Sequence, residues 1–415
     1  MSALRSSGCL RARWMFPVDQ PPLAEGVIEI ENGRIVRLGS GGSDDANNLG
    51  DVAIIPGLVN AHTHLEFSNL TCPIGPAAPF TDWIRGVIAA RRPRAGSISG
   101  AIDQGLQECA AAGTTLVGEI ATGNESVDRF ADTTSAGVVF RELLGTSGAA
   151  VEQQLEIARR HLTDGEGEGE GQRAVIRGLS PHAPYSVSAE LLERCVQLAV
   201  EEHVPVAMHL AETPEERELL GRGSGQFVAL LKDLGAWRGR FWMPEGTIQS
   251  YLDVLSQAPR ALIIHGNDLT SAEIEFLATQ PQMAVVYCPR THRYFDHPPH
   301  PWRTLLERGV RVALGTDSRA SNPDLSLWND VLFLRRHFDD VPAATLLELA
   351  TIHGAAALGL AQQTGTLTPG KSADLAVITC CDDALKIATT HPTEALLHPG
   401  NRAIATMRRG RWIRR

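Results

Sequence analysis

His62 and His64 are separated by a single residue. In an extended segment side chains alternate with a period of two, so both imidazoles project to one side and two nitrogens reach one ion. Farther along the chain stand His182, His209, His265 and Asp317. Taken singly, each has an ordinary explanation: an isolated histidine is more often structural than a ligand, and an aspartate near a strand end commonly caps the next helix. Taken together, His62, His64, His209 and Asp317 make a nitrogen-and-oxygen donor set of borderline character, suited to Zn²⁺, with Fe²⁺ or Mn²⁺ as substitutes. A cation so held lowers the pKa of water from about 15.7 to roughly 7 and provides a nucleophile at neutral pH. The seven cysteines are scattered, with only Cys380 and Cys381 adjacent, and form no CxxC pair that would suggest a disulfide framework or a thiolate zinc site. The base-deaminase zinc signature, His-x-Glu with Pro-Cys-x-x-Cys, is absent, which excludes the fold that carries it.

The elements that must position these groups are read from apolar runs. From about Ala53 onward, short Val- and Ile-rich runs alternate with longer segments of helical period, the pattern of repeated strand-helix units. Eight such runs are Ala53 to Ile55, Thr114 to Val117, Val138 to Phe140, Ala174 to Leu179, Val206 to Met208, Ala261 to Ile264, Ala284 to Tyr287 and Val310 to Leu314. Eight buried strands predict a closed (β/α)8 TIM barrel, an α/β fold, over residues 56–361. His62 and His64 follow the first run, His182 the fourth, His209 and His265 end the fifth and sixth, and Asp317 follows the eighth. In a parallel barrel every C-terminal strand end lies on one face, so all six side chains are expected to converge.

Both chain ends are β-rich. Gly26 to Leu38 alternates apolar and polar residues around Asn32-Gly33, a dipeptide suited to a hairpin turn, and Ala373 to Thr379 and Ala403 to Ile413 are again strand-like. Residues 1–55 and 362–415 are therefore expected to pair into one small β-sandwich domain. Thr213-Pro214-Glu215-Glu216 and Thr270-Ser271-Ala272-Glu273 read as capping boxes, and the acidic glycine repeat Asp164 to Gly171 as a surface loop.

Pro56-Gly57-Leu58-Val59-Asn60-Ala61-His62-Thr63-His64-Leu65-Glu66, His209-Leu210-Ala211-Glu212, Ile264-His265-Gly266 and Gly315-Thr316-Asp317-Ser318 resemble the successive motifs of the amidohydrolase superfamily, in its branch of hydrolytic deaminases and chlorohydrolases. Gly365 to Leu375 is similar to the segment that returns the C-terminus to that family's sandwich. The resemblance implies His62, His64, His209 and Asp317 as metal ligands, with Asp317 also accepting a proton from the attacking water. It implies His265 as the contact to that water and Glu212 as the proton shuttle to substrate. Binuclear members use a carboxylated lysine at the end of strand four, and Ala174 to Ser180 contains none, so one divalent ion is expected. The implied reaction is hydrolysis of a non-peptide C–N bond, foremost deamination of an aminopurine nucleoside-like substrate. Opening of a cyclic amide and displacement of chloride are the alternatives on the same barrel.

For the substrate pocket, Ser180 to Ser186 resembles the family loop whose histidine contacts substrate, which nominates His182, while Phe80, Trp83 and Arg141 are candidates. Cys288-Pro289-Arg290-Thr291-His292 departs from the Cys-Pro-x-Ser-Asn form common in nucleoside deaminases of the branch, and nominates Arg290 and His292 for an anionic group. Leu65 to Ser68 with Phe80 to Trp83 is similar to a subgroup that includes aminodeoxyfutalosine deaminases, whose substrate pairs adenine with a carboxylate. Gly365-Thr366-Leu367-Thr368-Pro369-Gly370-Lys371-Ser372 fits the phosphate-loop pattern G-x-x-x-x-G-K-[ST], yet it precedes a strand-like run where that motif requires a helix, so a P-loop triphosphatase is set aside.

The chain has 415 residues, 43% of them hydrophobic, and a formal net charge of -10. That acidity disfavours nucleic acid and anionic membranes as partners and favours a small-molecule substrate. Met1 to Phe16 lacks the apolar run of a secretory signal and no segment has the roughly 20 apolar residues of a membrane span, so a cytoplasmic location is expected. Homo-oligomerisation is left open.

Overall fold

The structure, a computed structural model, describes residues 7–41, 46–91, 97–132, 136–163, 175–237, 239–388 and 390–414. The acidic glycine repeat of residues 164–171 lies outside them.

The N-terminal segment forms strands β1 (Gly8–Met15), β2 (Leu23–Glu31), β3 (Arg34–Ser40), β4 (Asn47–Asn48) and β5 (Val52–Pro56). Eight parallel strands follow in sequential order: β6 (Leu58–Thr63), β7 (Thr114–Ala121), β8 (Ala136–Leu143), β9 (Val175–Pro181), β10 (Val206–Leu210), β11 (Ala261–His265), β12 (Met283–Tyr287) and β13 (Arg311–Leu314). Every residue of β6, β7, β10, β11 and β12 is buried, as expected of parallel strands covered on both faces. The last strand returns to the first. The backbone N–H groups of Thr316 and Asp317 both donate to the His62 carbonyl at 3.1 Å. The Asn60 side chain bridges the same seam, donating to Thr316 Oγ1 at 2.8 Å and accepting from Thr316 N at 3.1 Å. The result is a nearly closed TIM barrel.

A second sheet draws on both chain ends, in the order β16-β15-β14-β5-β1-β2-β3 with β4 beside β1, where β14 is Leu375–Thr379, β15 Ala403–Arg408 and β16 Arg411–Arg414. It has its own apolar core, which includes Leu10, Met15, Ile28, Ile35, Ile54, Leu375 and Met407. Asn32 and Gly33 take positive φ values of 49° and 75°, which turns β2 into antiparallel β3 as their types predict.

One strand assignment is corrected. The run Ala53 to Ile55 is not the first barrel strand; it belongs to β5, which pairs antiparallel with β14 and parallel with β1 in the second sheet. The barrel starts one step later, at β6. Apolar character continues unbroken through Pro56-Gly57, so periodicity alone cannot separate the two strands. The hinge needs glycine, because a Cβ at Gly57 would lie 2.1 Å from Thr115 Oγ1.

Two local expectations divide. Thr270 and Glu273 form the full capping box. Thr213 caps Glu216 N, but the Glu216 carboxylate turns instead to Ala211 N at 2.7 Å. Gly365 to Ser372 leads into β14 without a helix, and Gly370 N donates to Ile35 O at 2.7 Å, so the segment packs on the hairpin and builds no phosphate cradle. Among the described residues no helix is long and apolar enough to cross a membrane, and all seven cysteines are free thiols.

Candidate active site

The C-terminal strand ends deliver their side chains to one place. His62 lies in β6 and His64 just past it, His209 in β10, His265 at the last residue of β11, and Asp317 just past β13. The ligand atoms of His62, His64 and His209 all lie within 4.8 Å of one another. His64 Nε2 stands 3.3 Å from His209 Nε2, and Asp317 Oδ1 is 3.5 Å from His62 Nε2 and 3.7 Å from His64 Nε2. Glu212 Oε1 is 3.4 Å from His265 Nε2. All six residues are buried.

The backbone is strained at this rim. Ala211, His265 and Asp317 hold positive φ values of 55°, 70° and 55°, a region that costs a non-glycine residue on the order of 1–3 kcal/mol. Such strain persists only where surrounding contacts over-determine it. Asp317 is held through its carbonyl by Thr63 Oγ1 at 2.9 Å and through its carboxylate by Ser321 Oγ, which donates to Oδ2 at 2.6 Å. Gly315 just before it is sterically required, because a Cβ there would sit 2.9 Å from His62 Cβ and 3.0 Å from His62 O. Gly315→Ala is expected to destabilise the protein by about 1–3 kcal/mol and to lower its metal content. Thermal denaturation with metal analysis checks this, and a wild-type melting temperature with full metal content would contradict it.

Protonation suits the cluster to a cation. His209 Nδ1–H donates to the His182 carbonyl at 3.1 Å, which leaves its Nε2 lone pair facing His64. Both ring nitrogens of His62 and Nδ1 of His64 are buried without a hydrogen-bond partner. Burial depresses the pKa of His64 and His209 well below the usual imidazole value and that of His265 to about 3, so these rings are neutral. For Asp317 burial acts in the opposite sense, but the imidazoles that face it, His62 foremost with its Nε2 3.5 Å from Oδ1, outweigh it and keep the carboxylate ionised. Neutral imidazoles, one carboxylate and orphaned buried nitrogens fit a divalent metal. Glu212 contrasts with Asp317: burial, reinforced by the Asp317 and Glu216 charges, raises its carboxyl well above the usual range.

The cluster opens into a cavity of about 390 Å³, reached by His64, His209, Glu212, His265 and Asp317 but mostly apolar elsewhere. Helices Phe80–Arg91 and Gln226–Asp233 supply much of its hydrocarbon wall through Val87, Ile88, Leu230 and Leu231. Phe80 and Trp83 line it, with Trp83 Nε1–H donating to Ala320 O at 3.0 Å. His182 lines it too, its Nδ1 2.7 Å from Ser186 Oγ and its Nε2 3.8 Å from Glu142 Oε1.

Three candidates are not brought to this cavity. Arg290 is turned away by charge: Nη2 donates to Asp324 Oδ1 at 2.7 Å and to Asp330 Oδ2 at 2.9 Å, and Asp330 is fully buried and needs that partner. His292 faces a separate groove with Tyr287 and Trp302, and its Nε2–H donates to Pro298 O at 2.9 Å. Arg141 lines a third, polar pocket with Asp128 and Arg160, where Nη1 donates to Asn124 Oδ1 at 3.3 Å.

Arg91, in contrast, lines the cavity without being singled out by any sequence motif. Its Nη2 is 2.9 Å from Glu66 Oε1 and 3.5 Å from Glu142 Oε2, and its guanidinium lies 5.4 Å above the Phe67 ring. The usable signal is helical spacing, because Trp83, Val87 and Arg91 recur at i, i+4 and i+8 and share one face.

Residues 53–413 match the amidohydrolase family. The chain is 30% identical over 384 residues to a 5-methylthioadenosine/S-adenosylhomocysteine deaminase of Moorella thermoacetica, covering 88% of this chain and 83% of the relative. It is 31% identical over 323 residues to an aminodeoxyfutalosine deaminase of Deinococcus radiodurans, covering 76% of this chain and 75% of that one. Its fold is similar to the crystal structure of an adenosine deaminase from Xanthomonas campestris with bound zinc, with a TM-score of 0.79, 22% identity, and 97% and 92% of the two chains covered.

Proposed function

This chain belongs to the amidohydrolase family, and from that premise we propose that it is a metal-dependent hydrolase that removes the amino group of an aminopurine nucleoside as ammonia. The observation that carries the reading is the cluster of His62, His64, His209 and Asp317 beside the Glu212–His265 pair, at the floor of one apolar cavity. Those four residues hold one divalent ion, with zinc preferred on donor type. β9 offers no lysine to carry a bridging carboxylate for a second. The ion's chemistry is to lower the pKa of water from about 15.7 to roughly 7, a difference on the order of 12 kcal/mol.

The chain's own groups do the rest. Asp317, ionised and anchored by Ser321, takes a proton from the attacking water. His265, neutral, orients the oxygen that adds to the amino-bearing carbon. Glu212, whose raised pKa keeps a proton available, protonates the ring nitrogen, and the proton that Asp317 took from the water then passes by way of the emptied Glu212 carboxylate to the departing amine. That stored proton favours deamination over displacement of chloride, since an amine leaves only after protonation and chloride leaves without it. Cyclic-amide opening stays as the second reading, because Glu212 serves a leaving nitrogen there equally well.

Phe67, Phe80, Trp83 and Tyr185 give the cavity aromatic faces for a purine, with His182 at its edge. The relatives' names point to adenosine-type substrates, from 5-methylthioadenosine to aminodeoxyfutalosine. With Arg290 and His292 turned elsewhere, the basic-loop argument for a carboxylate tail falls away, and the substrate is put more broadly as an adenine nucleoside. We read the second sheet, with its separate core, as a small sandwich domain of residues 1–55 and 362–415 that supports the barrel, residues 56–361.

Zinc-loaded protein is expected to release ammonia from adenosine, 5-methylthioadenosine or S-adenosylhomocysteine, with a matching shift of purine absorbance. The reading is abandoned if metal-replete protein releases ammonia from no aminopurine nucleoside in such a panel.

A further inference from the structure

Outside the cluster, the loop after β12 carries three more histidines, His292, His297 and His300. His300 is almost fully buried, and its ring stacks on Tyr287 with centroids 4.0 Å apart at 26°. Its Nε2 lies 2.8 Å from the carbonyl oxygen of His265. A carbonyl only accepts, so Nε2 carries the proton and Nδ1 is left with a lone pair. Nδ1 is buried and has no hydrogen-bond partner.

That arrangement is costly for a residue whose task is packing alone. Phenylalanine would stack on Tyr287 equally well and bury no orphaned nitrogen. What histidine adds is the single N–H aimed at His265 O. The acceptor is the residue held at a φ of 70°, at the end of β11, with its ring 3.4 Å from Glu212. Turning that peptide out of the left-handed region would swing the imidazole away from both Glu212 and the cation cluster. Burial also brings the pKa of His300 to about 3, so the donor tautomer persists across the working pH range.

We propose that His300 is a positioning residue for the reaction: its Nε2–H fixes the strained His265 peptide and so aims the His265 imidazole, while never touching substrate. The inference rests on the role given above to His265. It follows that the loop after β12 sets the geometry of the strand end before it, a coupling between adjacent strand ends through one side-chain-to-backbone bond.

Two variants separate this role from packing. His300→Phe keeps the ring and loses the donor; His300→Gln restores an N–H of similar reach. In the zinc-loaded Phe variant kcat for ammonia release is expected to fall about 10- to 100-fold, with KM, zinc per chain and melting temperature unchanged, and the Gln variant is expected to recover most of the loss. A crystal structure of the Phe variant should show the His265 φ out of the positive region and its ring withdrawn from Glu212. Wild-type kcat in the Phe variant, an unmoved His265 in its structure, a Gln variant as slow as Phe, or loss of zinc in step with activity overturns the proposal. Failure of the deaminase reading is seen separately, as wild-type protein that releases no ammonia; the position of His265 in the Phe variant then still decides this inference.

Discussion

Stripping the metal with a chelator is expected to abolish turnover, and stoichiometric zinc to restore it. The magnitude follows from the nucleophile. Without a cation the attacking group is ordinary water, with a pKa of about 15.7 in place of roughly 7, and no other contribution from the site approaches the 12 kcal/mol or so that separates them. Losing a hydrogen-bond donor to a developing charge typically costs about 3–4 kcal/mol, so His265 and its neighbours cannot compensate. The four ligands are expected to act as a unit, so His62→Ala or His209→Ala alone should lose as much activity as the stripped protein. Zinc titration of the apoprotein against ammonia release is the check: a single equivalent at saturation is expected, and turnover that survives complete stripping rules the reading out.

Glu212→Gln should produce the second-largest loss, on the order of 10²–10⁴-fold in kcat, the usual span for a lost general acid–base. Zinc content should be unchanged, because the side chain approaches His265 and no ligand nitrogen in the cluster. Glutamine matches the shape and carries no transferable proton. The pH dependence has a definite sign. Because burial raises the Glu212 carboxyl well above its ordinary value, the proton needed by the ring nitrogen is kept to higher pH than on an exposed carboxyl and is lost as pH rises through that elevated pKa. kcat is therefore expected to decline on the alkaline side. A Gln variant with wild-type kcat would assign the proton transfer to another group.

What the sequence made legible was whatever local spacing encodes. The alternation that sends His62 and His64 to one side, and the position of His209, His265 and Asp317 at strand ends, are short-range features, and the barrel rule that gathers strand ends on one face converts them into a cluster. Long-range choices were opaque. Nothing local tells whether Ala53 to Ile55 joins the barrel or pairs with β14, more than 300 positions away in the chain. Arg290 reads as a free cation until its partner Asp330, |i−j| = 40, is seen to be buried. Arg91 was missed for a different reason: its place on the cavity wall depends on how one helix lies across the barrel mouth.

The stitch between β6 and β13 has a consequence for assembly of the protein. His62 offers its ring to the ion and its carbonyl to the amides of Thr316 and Asp317, while Asp317 brings the opposing carboxylate. A cation bound there fastens the circle shut like a clasp, and its binding energy becomes folding energy for the whole cylinder. Half-barrel fragments, holding only one side of the clasp, should therefore bind the ion far more weakly than the closed cylinder does.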